Sequence, residues 1–314
     1  MGDTLYVVVP CYNEEKVLGE TTKRLTEKLN ALIKSELISE ESKIMYVNDG
    51  SKDETWNLIE KLHYENTFVT GVNLSRNRGH QNALLAGLMT AKEYADIVVS
   101  MDADLQDDID ALDKFIQEYK AGADIVYGVR SSRKKDTFFK RNTAIAFYKF
   151  MRMLGVDLVY NHADYRLMSK KALDELAEYK EVNLFLRGIV PLIGFKTAVV
   201  EYERGERFAG ETKYPLRKML LFALEGITSC SVRPIRIIAV TGVVISLLSV
   251  VMLIYTMIGY FQGGTVDGWA SMIVVMCFLG GFQIFSIGIV GEYVGKIYME
   301  AKGRPRYCID KILK

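Results

Sequence analysis

The sequence predicts a doubly wound, mostly parallel α/β domain followed by a pair of membrane-spanning helices. Three observations carry this. Short apolar runs alternate with helical patterns over the first 130 residues, each run is followed by residues rich in Asp, Asn or Arg, and Asp267 is the only charge between Ile237 and Gly291. The third observation explains an imbalance: 25% of the 314 residues are charged, yet mean hydropathy is +0.08, so the charges must be segregated. With 49% hydrophobic residues, the chain can bury a sizeable core and is not a disordered polymer. Its formal net charge of +1 lacks the basic surplus that neutralises a duplex backbone, which argues against nucleic acid as the main partner.

The alternation runs Leu5 to Val9 then Glu14 to Lys34, Ile44 to Val47 then Asp53 to Tyr64, Phe68 to Leu74 then His80 to Tyr94, Ile97 to Met101 then Asp108 to Lys120, and finally Ile125 to Tyr127. Continuously apolar strands separated by helices argue for a parallel sheet covered on both faces. Such sheets bind ligands beyond the carboxyl ends of their strands. Those ends read Pro10–Glu15, Asn48–Ser51, Ser75–Gln81, Asp102–Gln106 and Gly128–Arg130. Caps and turns explain each separately, but not five polar edges on one side of one sheet. No G-x-G-x-x-G or P-loop pattern is present, so the phosphates of a nucleotide would need another counter-charge. Asp102 and Asp104, with Gln106 two residues on, are hard oxygen donors of the kind Mg²⁺ or Mn²⁺ takes. The four cysteines and three histidines have no zinc spacing, and Cys11, just after a strand, has no histidine near it in sequence to make a reactive thiol.

The apolar segments run from about Ile237 to Phe261 and from Trp269 to Gly291, each above the roughly 18 residues that mark a span. Arg233 and Arg236 precede the first, Lys296, Lys302, Arg304 and Arg306 follow the second, and the connecting turn has no Lys or Arg. The positive-inside rule then puts both ends in the cytoplasm of a multi-pass inner or plasma membrane protein. The start of the chain has no basic stretch before its short apolar run, so no signal or transit peptide is expected.

Val8–Glu15, Val47–Thr55 and Met101–Asp108, together with Leu74–Gly87, Ala163–Met168 and Glu206–Tyr214, resemble the inverting family 2 glycosyltransferases of GT-A fold. With the two spans, the combination is similar to polyprenyl-phosphate glycosyltransferases such as bactoprenol glucosyltransferases and dolichol-phosphate mannose synthases. The resemblance implies a nucleoside pocket lined by Pro10, Tyr12, Glu14 and Asp49, with Asp102 near ribose and metal. It implies Asp104 and Gln106 as ligands to Mg²⁺ or Mn²⁺, and Arg130 and Arg207 on the donor diphosphate or the reacting phosphate, with Lys213 a further donor-side residue. Asp164 matches the carboxylate on the acceptor side and is the candidate if any base is used.

The residues add their own argument about the acceptor. Arg130 to Phe150 is a basic cluster followed by an aromatic-rich amphipathic pattern suited to a membrane surface, and within it the resemblance, whose matching position carries an Arg, implies Lys140 and Arg141 for a lipid phosphate. Pro215 to Val232, with Leu216, Met219, Leu220, Ala223, Leu224 and Ile227 in one stripe, reads as an interfacial helix. The expected organisation is a catalytic domain over 1–214, an interfacial helix over 215–235, a transmembrane hairpin over 236–292 and a tail over 293–314. The reading that follows is single-displacement transfer of a hexose from a sugar nucleotide to undecaprenyl phosphate for cell-envelope glycosylation. The residues do not fix the donor, and the resemblance favours UDP-glucose over UDP-N-acetylglucosamine and GDP-mannose. A processive synthase would carry Q-x-x-R-W, and neither Trp56 nor Trp269 follows an Arg. Gly242, Gly280, Gly281 and Gly288 suit close helix packing, within a hairpin or in a homo-oligomer.

Overall fold

A computed structural model describes residues 2–130, 153–155, 162–203, 205, 226–229, 231–261 and 268–314. In chain order the strands are β1 (Leu5–Cys11), β2 (Lys43–Asn48), β3 (Val69–Leu74), β4 (Ile97–Ser100), β5 (Ile125–Arg130), β6 (His162–Ser169), β7 (Thr197–Tyr202) and β8 (Ile309–Leu313). The helices are α1 (Leu18–Lys34), α2 (Thr55–Glu65), α3 (His80–Ala91), α4 (Ala111–Lys120), α5 (Lys170–Glu178), the short α6 (Leu186–Ile189), α7 (Arg233–Phe261) and α8 (Trp269–Lys302).

All eight strands join one sheet in the order β7-β5-β6-β4-β1-β2-β3-β8. β1 pairs in parallel with both β2 and β4, so the strand order reverses beside β1 and opens a crevice at the carboxyl ends there. The sheet is mixed: β6 runs antiparallel between β4 and β5, and β8 runs antiparallel to β3. α1, α2 and α4 cover one face and α3, α5 and α6 the other, each turning apolar side chains to the sheet, such as Leu25, Leu29 and Leu32 on α1 and Ile59 on α2. Each such side chain contributes about 1.5–3 kcal/mol.

Helix α1 begins at Leu18 rather than Glu14. Residues 14–17 form a turn instead, because the Glu14 amide donates to Thr55 Oγ1 at 2.9 Å and holds the chain against the loop after β2. The first apolar segment is helical from Arg233, and the second continues past Gly291 to Lys302. Both helices are long and apolar enough to cross a membrane, and their most apolar windows are 0% and 6% buried. After α8, Gly303 takes a left-handed conformation (φ +54°) that ends the helix, and the tail turns back to the sheet. β8 pairs Leu313 with Gly71 and Lys311 with Asn73, and Leu313 packs where a side chain at Gly71 would stand. The segment that follows the second apolar helix is thus built into the eight-stranded sheet.

Lys140, Arg141, Arg207 and Lys213 lie outside the described residues, as does most of the helix expected over 215–235. Cys11 is fully buried in β1, and burial pushes its thiol well above the ordinary value, whereas Cys308 is exposed. Iodoacetamide at pH 8 is therefore expected to label Cys308 in the native protein and Cys11 only after unfolding, read by peptide mass spectrometry. Native labelling of Cys11 would contradict its burial.

Candidate active site

The loops at the carboxyl ends of β1, β2 and β3 are laced into one wall. Asn13, left-handed at φ 56°, donates its amide to Ser51 Oγ and accepts from the Lys52 amide at 2.9 Å through Oδ1. Asn48 Nδ2 donates to Asn73 Oδ1 at 2.7 Å, and the Asp49 amide donates to the Cys11 carbonyl. Both carboxylate oxygens of buried Asp49 accept backbone amides, from Arg78 at 2.6 Å and Gly79 at 2.9 Å. Gly50 has φ +60°, and a Cβ there would lie 2.4 Å from the Asn77 nitrogen, so only glycine lets these loops approach. Asp49 therefore fixes the loop that starts α3. Of the other residues expected on this wall, Pro10 is the penultimate residue of β1, exposed Tyr12 follows the strand, and Glu14 lies in the turn before α1.

The fold brings Asp102, Asp104, Arg130 and Asp164 to one crevice, with five residues to which sequence reasoning gave no role there: His80, Asp107, Arg166, Arg187 and Tyr202. Asp102 and Asp104 follow β4, where the left-handed Leu105 (φ 57°) turns the chain so that Asp104 Oδ1 accepts the Gln106 amide at 3.2 Å. The Gln106 carbonyl accepts the Gly205 amide at 2.9 Å. Tyr202 OH donates to Asp107 Oδ1 at 2.6 Å and accepts from Arg130 Nε at 3.4 Å.

Asp164, on β6, is enclosed by cations. Arg166 NH2 donates to its Oδ1 at 2.9 Å, Arg187 donates through Nε at 3.1 Å and NH2 at 3.0 Å, and His80 Nε2 stands 3.5 Å from Oδ2. The same His80 nitrogen lies 3.7 Å from Asp102 Oδ1, so one imidazole bridges two carboxylates. Burial opposes ionisation of Asp164, yet Arg187, His80 and Arg166 outweigh it and hold the carboxyl well below its ordinary value. Burial likewise opposes charge on His80, and the two carboxylates more than offset it, raising its pKa. Asp102 shifts upward, through the crowding of protein around it and then the neighbouring Asp164 and Asp104, against the pull of His80. Asp107 is pushed up to about 6 by burial and by Asp102.

Repelling carboxylates suit a divalent cation. Asp107 Oδ2 is buried without a hydrogen-bond partner, and Asp102 is 38% exposed at the crevice. Among the described residues no three His, Cys, Asp or Glu form a closed metal nest. The Asp102–Asp104 edge, where like charges crowd at an open crevice, fits an ion that would be held by one or two carboxylates, with phosphate and water oxygens completing its shell.

The profile of Glycosyl transferase family 2 matches residues 6–177, which spans β1 to α5 and most of this crevice. The chain belongs to that family. It is a glycosyltransferase, and its sheet is the GT-A arrangement expected of one. The GtrB C-terminal hairpin matches residues 233–297, which takes in α7 and most of α8. This family 2 glycosyltransferase is 57% identical to the uncharacterised glycosyltransferase YkoT of Bacillus subtilis over 98% of this chain and 91% of YkoT. It is 39% identical to the prophage bactoprenol glucosyl transferase homolog of Escherichia coli, over 98% of this chain and 99% of that protein. Among solved structures it is similar to the mannosyltransferase PcManGT of Pyrobaculum calidifontis, in complex with GDP-Man and Mn²⁺, at 14% identity and a TM-score of 0.45, covering 96% and 86% of the two chains.

Proposed function

We propose that this glycosyltransferase moves a hexose, glucose from UDP-glucose, to the phosphate of a membrane polyprenyl phosphate such as undecaprenyl phosphate, with inversion at the anomeric carbon. One observation carries the reading: a single chain joins a crevice of carboxylates and arginines to two outward-facing apolar helices, and β8 ties the end of the second to the catalytic sheet. A soluble acceptor would not need that union. The name of the Escherichia coli relative supports the glucosyl donor and the lipid acceptor.

In this proposal Pro10, Tyr12 and Glu14 line the nucleoside side, and Asp49 acts through the loop it holds. Asp102 and Asp104, with Gln106, hold Mg²⁺ or Mn²⁺, which when bound neutralises charge on the donor diphosphate. Arg130, anchored by Tyr202 and Asp107, and Arg207 with Lys213 face the diphosphate, while Lys140 and Arg141 receive the lipid phosphate. A phosphate monoester is already anionic near neutral pH, its second pKa being about 6, so no strong base is required. Asp164, whose basicity is suppressed by two guanidinium groups, orients Arg187 and His80 toward the reacting centre rather than taking a proton. Catalysis then rests on alignment and charge stabilisation. Both termini and the catalytic domain lie on the cytoplasmic side by the positive-inside rule, and that domain takes in 1–214 together with β8, so the segment read from the sequence as a tail over 293–314 ends as a strand of its sheet.

The test is a panel of UDP-glucose, UDP-N-acetylglucosamine and GDP-mannose against undecaprenyl phosphate with Mn²⁺ or Mg²⁺, using the full chain in detergent. The expected product is a β-linked lipid-phosphate glucose, identified by mass spectrometry and NMR. A retained α configuration would refute single displacement, and lack of transfer to any polyprenyl phosphate would refute the lipid acceptor.

A further inference from the structure

The last turns of α8 grip the segment that carries Arg187. Glu300 accepts two successive backbone amides through its two carboxylate oxygens, from Val182 at 2.9 Å and Asn183 at 2.7 Å. Arg306, just beyond the helix, donates to the Tyr179 carbonyl at 2.7 Å. Asn183 Nδ2 donates to Ser229 Oγ at 2.9 Å, and Lys296 of α8 donates to the same hydroxyl at 2.8 Å. From the other side, Gln81, the neighbour of His80 on α3, accepts the Leu186 amide at 2.9 Å. Arg187 follows at once, with both donating arms on Asp164. The route from the apolar hairpin to the crevice is therefore a run of five residues, 183–187, held at both ends.

Helix stability does not explain Glu300. A carboxylate in the last turn of α8 meets the negative end of the helix dipole, which disfavours it by a few tenths of a kcal/mol or more. Its partners are tertiary ones. The amides it holds precede α6 and have no strand to pair with, so the carboxylate supplies acceptors this segment otherwise lacks.

We propose that Glu300 is a positioning residue for glycosyl transfer: by clamping the amides of Val182 and Asn183 it sets Arg187 against Asp164, so that the membrane hairpin and the reacting centre are held in one register. The hairpin is then a working part of the catalytic geometry as well as an anchor. Since a misplacement of about 1 Å can cost on the order of 10²-fold in rate, a loosened clamp is read in turnover rather than in donor binding.

The kinetic arm of the test rests on the lipid-phosphate acceptor proposed above, and the full chain in nanodiscs is the material. Glu300→Ala is expected to lower kcat about tenfold with donor KM changed less than twofold, and Glu300→Gln, which keeps one acceptor oxygen, to recover part of the loss. On an Arg187→Ala background, Glu300→Ala should lower kcat by less than about twofold, because the two act through one path. Amide exchange at Val182 and Asn183, followed by mass spectrometry without any substrate, should speed up at least tenfold in Glu300→Ala. Full additivity of the two substitutions, or unchanged exchange, overturns the proposal. Failure of the functional reading looks different: the wild-type chain then transfers nothing to the lipid, while the exchange result still stands or falls on the clamp.

Discussion

Asp164→Asn is expected to destabilise the fold by about 3 kcal/mol and to reduce transfer by at least about 10²-fold. The stability term follows from Arg166, whose side chain is 1% exposed and whose Nε and NH1 have no hydrogen-bond partner, which leaves Asp164 as its neutralising contact. Removing one member of a buried pair costs about 3–5 kcal/mol because the other charge is stranded, and an amide oxygen that still accepts one hydrogen bond keeps the loss at the lower end. Against a typical total of about 5–15 kcal/mol this is severe. The pH dependence has a definite sign. The folded pKa of Asp164 lies well below its ordinary value, so its contribution is fully present above the unfolded carboxyl pKa of about 3.9 and is lost only as pH falls through the depressed folded value. The carboxylate's own share of the gap should therefore be flat above about pH 5 and shrink in stronger acid, while the share that runs through His80, whose pKa Asp164 helps to raise, is fully present below about 6.5 and is lost as pH rises through the raised value. Chemical unfolding of the detergent-solubilised protein at several pH values checks this. The rate term follows from Arg187 and His80, which both lose their orienting anion. If Asp164 were instead a general base, wild-type kcat would show an acid limb assignable to a raised carboxyl pKa, disappearing in the variant.

The cation cage around Asp164 also shows where sequence reasoning reached and where it stopped. The first five strands were legible because each is a continuous apolar run between helical patterns, as a strand covered on both faces must be. β6 was not, since it alternates Tyr165 and Leu167 into one layer with the polar Asp164 and Arg166 into the other, and reads as a motif rather than a strand. β7 is half-exposed, with only Val200 and Tyr202 buried, and β8 is five residues after a membrane-type helix. Neither has enough apolar pattern to be seen before its partner strand is known. Asp102, Asp104 and Arg130 were readable as polar residues at or beside strand ends and Asp164 only through the family motif Ala163–Met168, and the fold brings the four together. His80 stood in a polar edge already singled out, but what marks it, two carboxylates within 4 Å of one nitrogen, comes from β4 and β6 and exists only in three dimensions. Arg187 did leave a signal: a lone cation among Leu184, Phe185, Leu186 and Ile189, all buried, needs a buried anion, and the sequence alone does not say which.

Asp102→Asn should behave in the opposite sense to Asp164→Asn although the two carboxylates share His80. Its surroundings disfavour its charge: crowding comes first and the repulsion of Asp164 and Asp104 adds to it, against His80 and Arg187. For an acid with a raised folded pKa the sign reverses. The folded state carries no penalty below the unfolded pKa of about 3.9, and the penalty grows as pH rises through the folded value. An uncharged Asn relieves that penalty at neutral pH, so the ligand-free variant should melt no lower than wild type, and the gap should close on acidification. More than a third of the Asp102 side chain is open to solvent, so the gain is modest. Activity should nonetheless fall by roughly 10²–10³-fold, because the site loses a hard anionic oxygen where charge on the departing diphosphate has to be met. The added stability that Mn²⁺ with UDP gives the wild type, on the order of 2.7 kcal/mol at a hundredfold excess over Kd, should vanish with it. Thermal unfolding with and without Mn²⁺ and UDP, alongside transfer assays, separates the effects. A ligand-free variant several degrees less stable, or one that keeps its Mn²⁺ response, would show that Asp102 is held in the crevice for the sake of the fold and not for the donor.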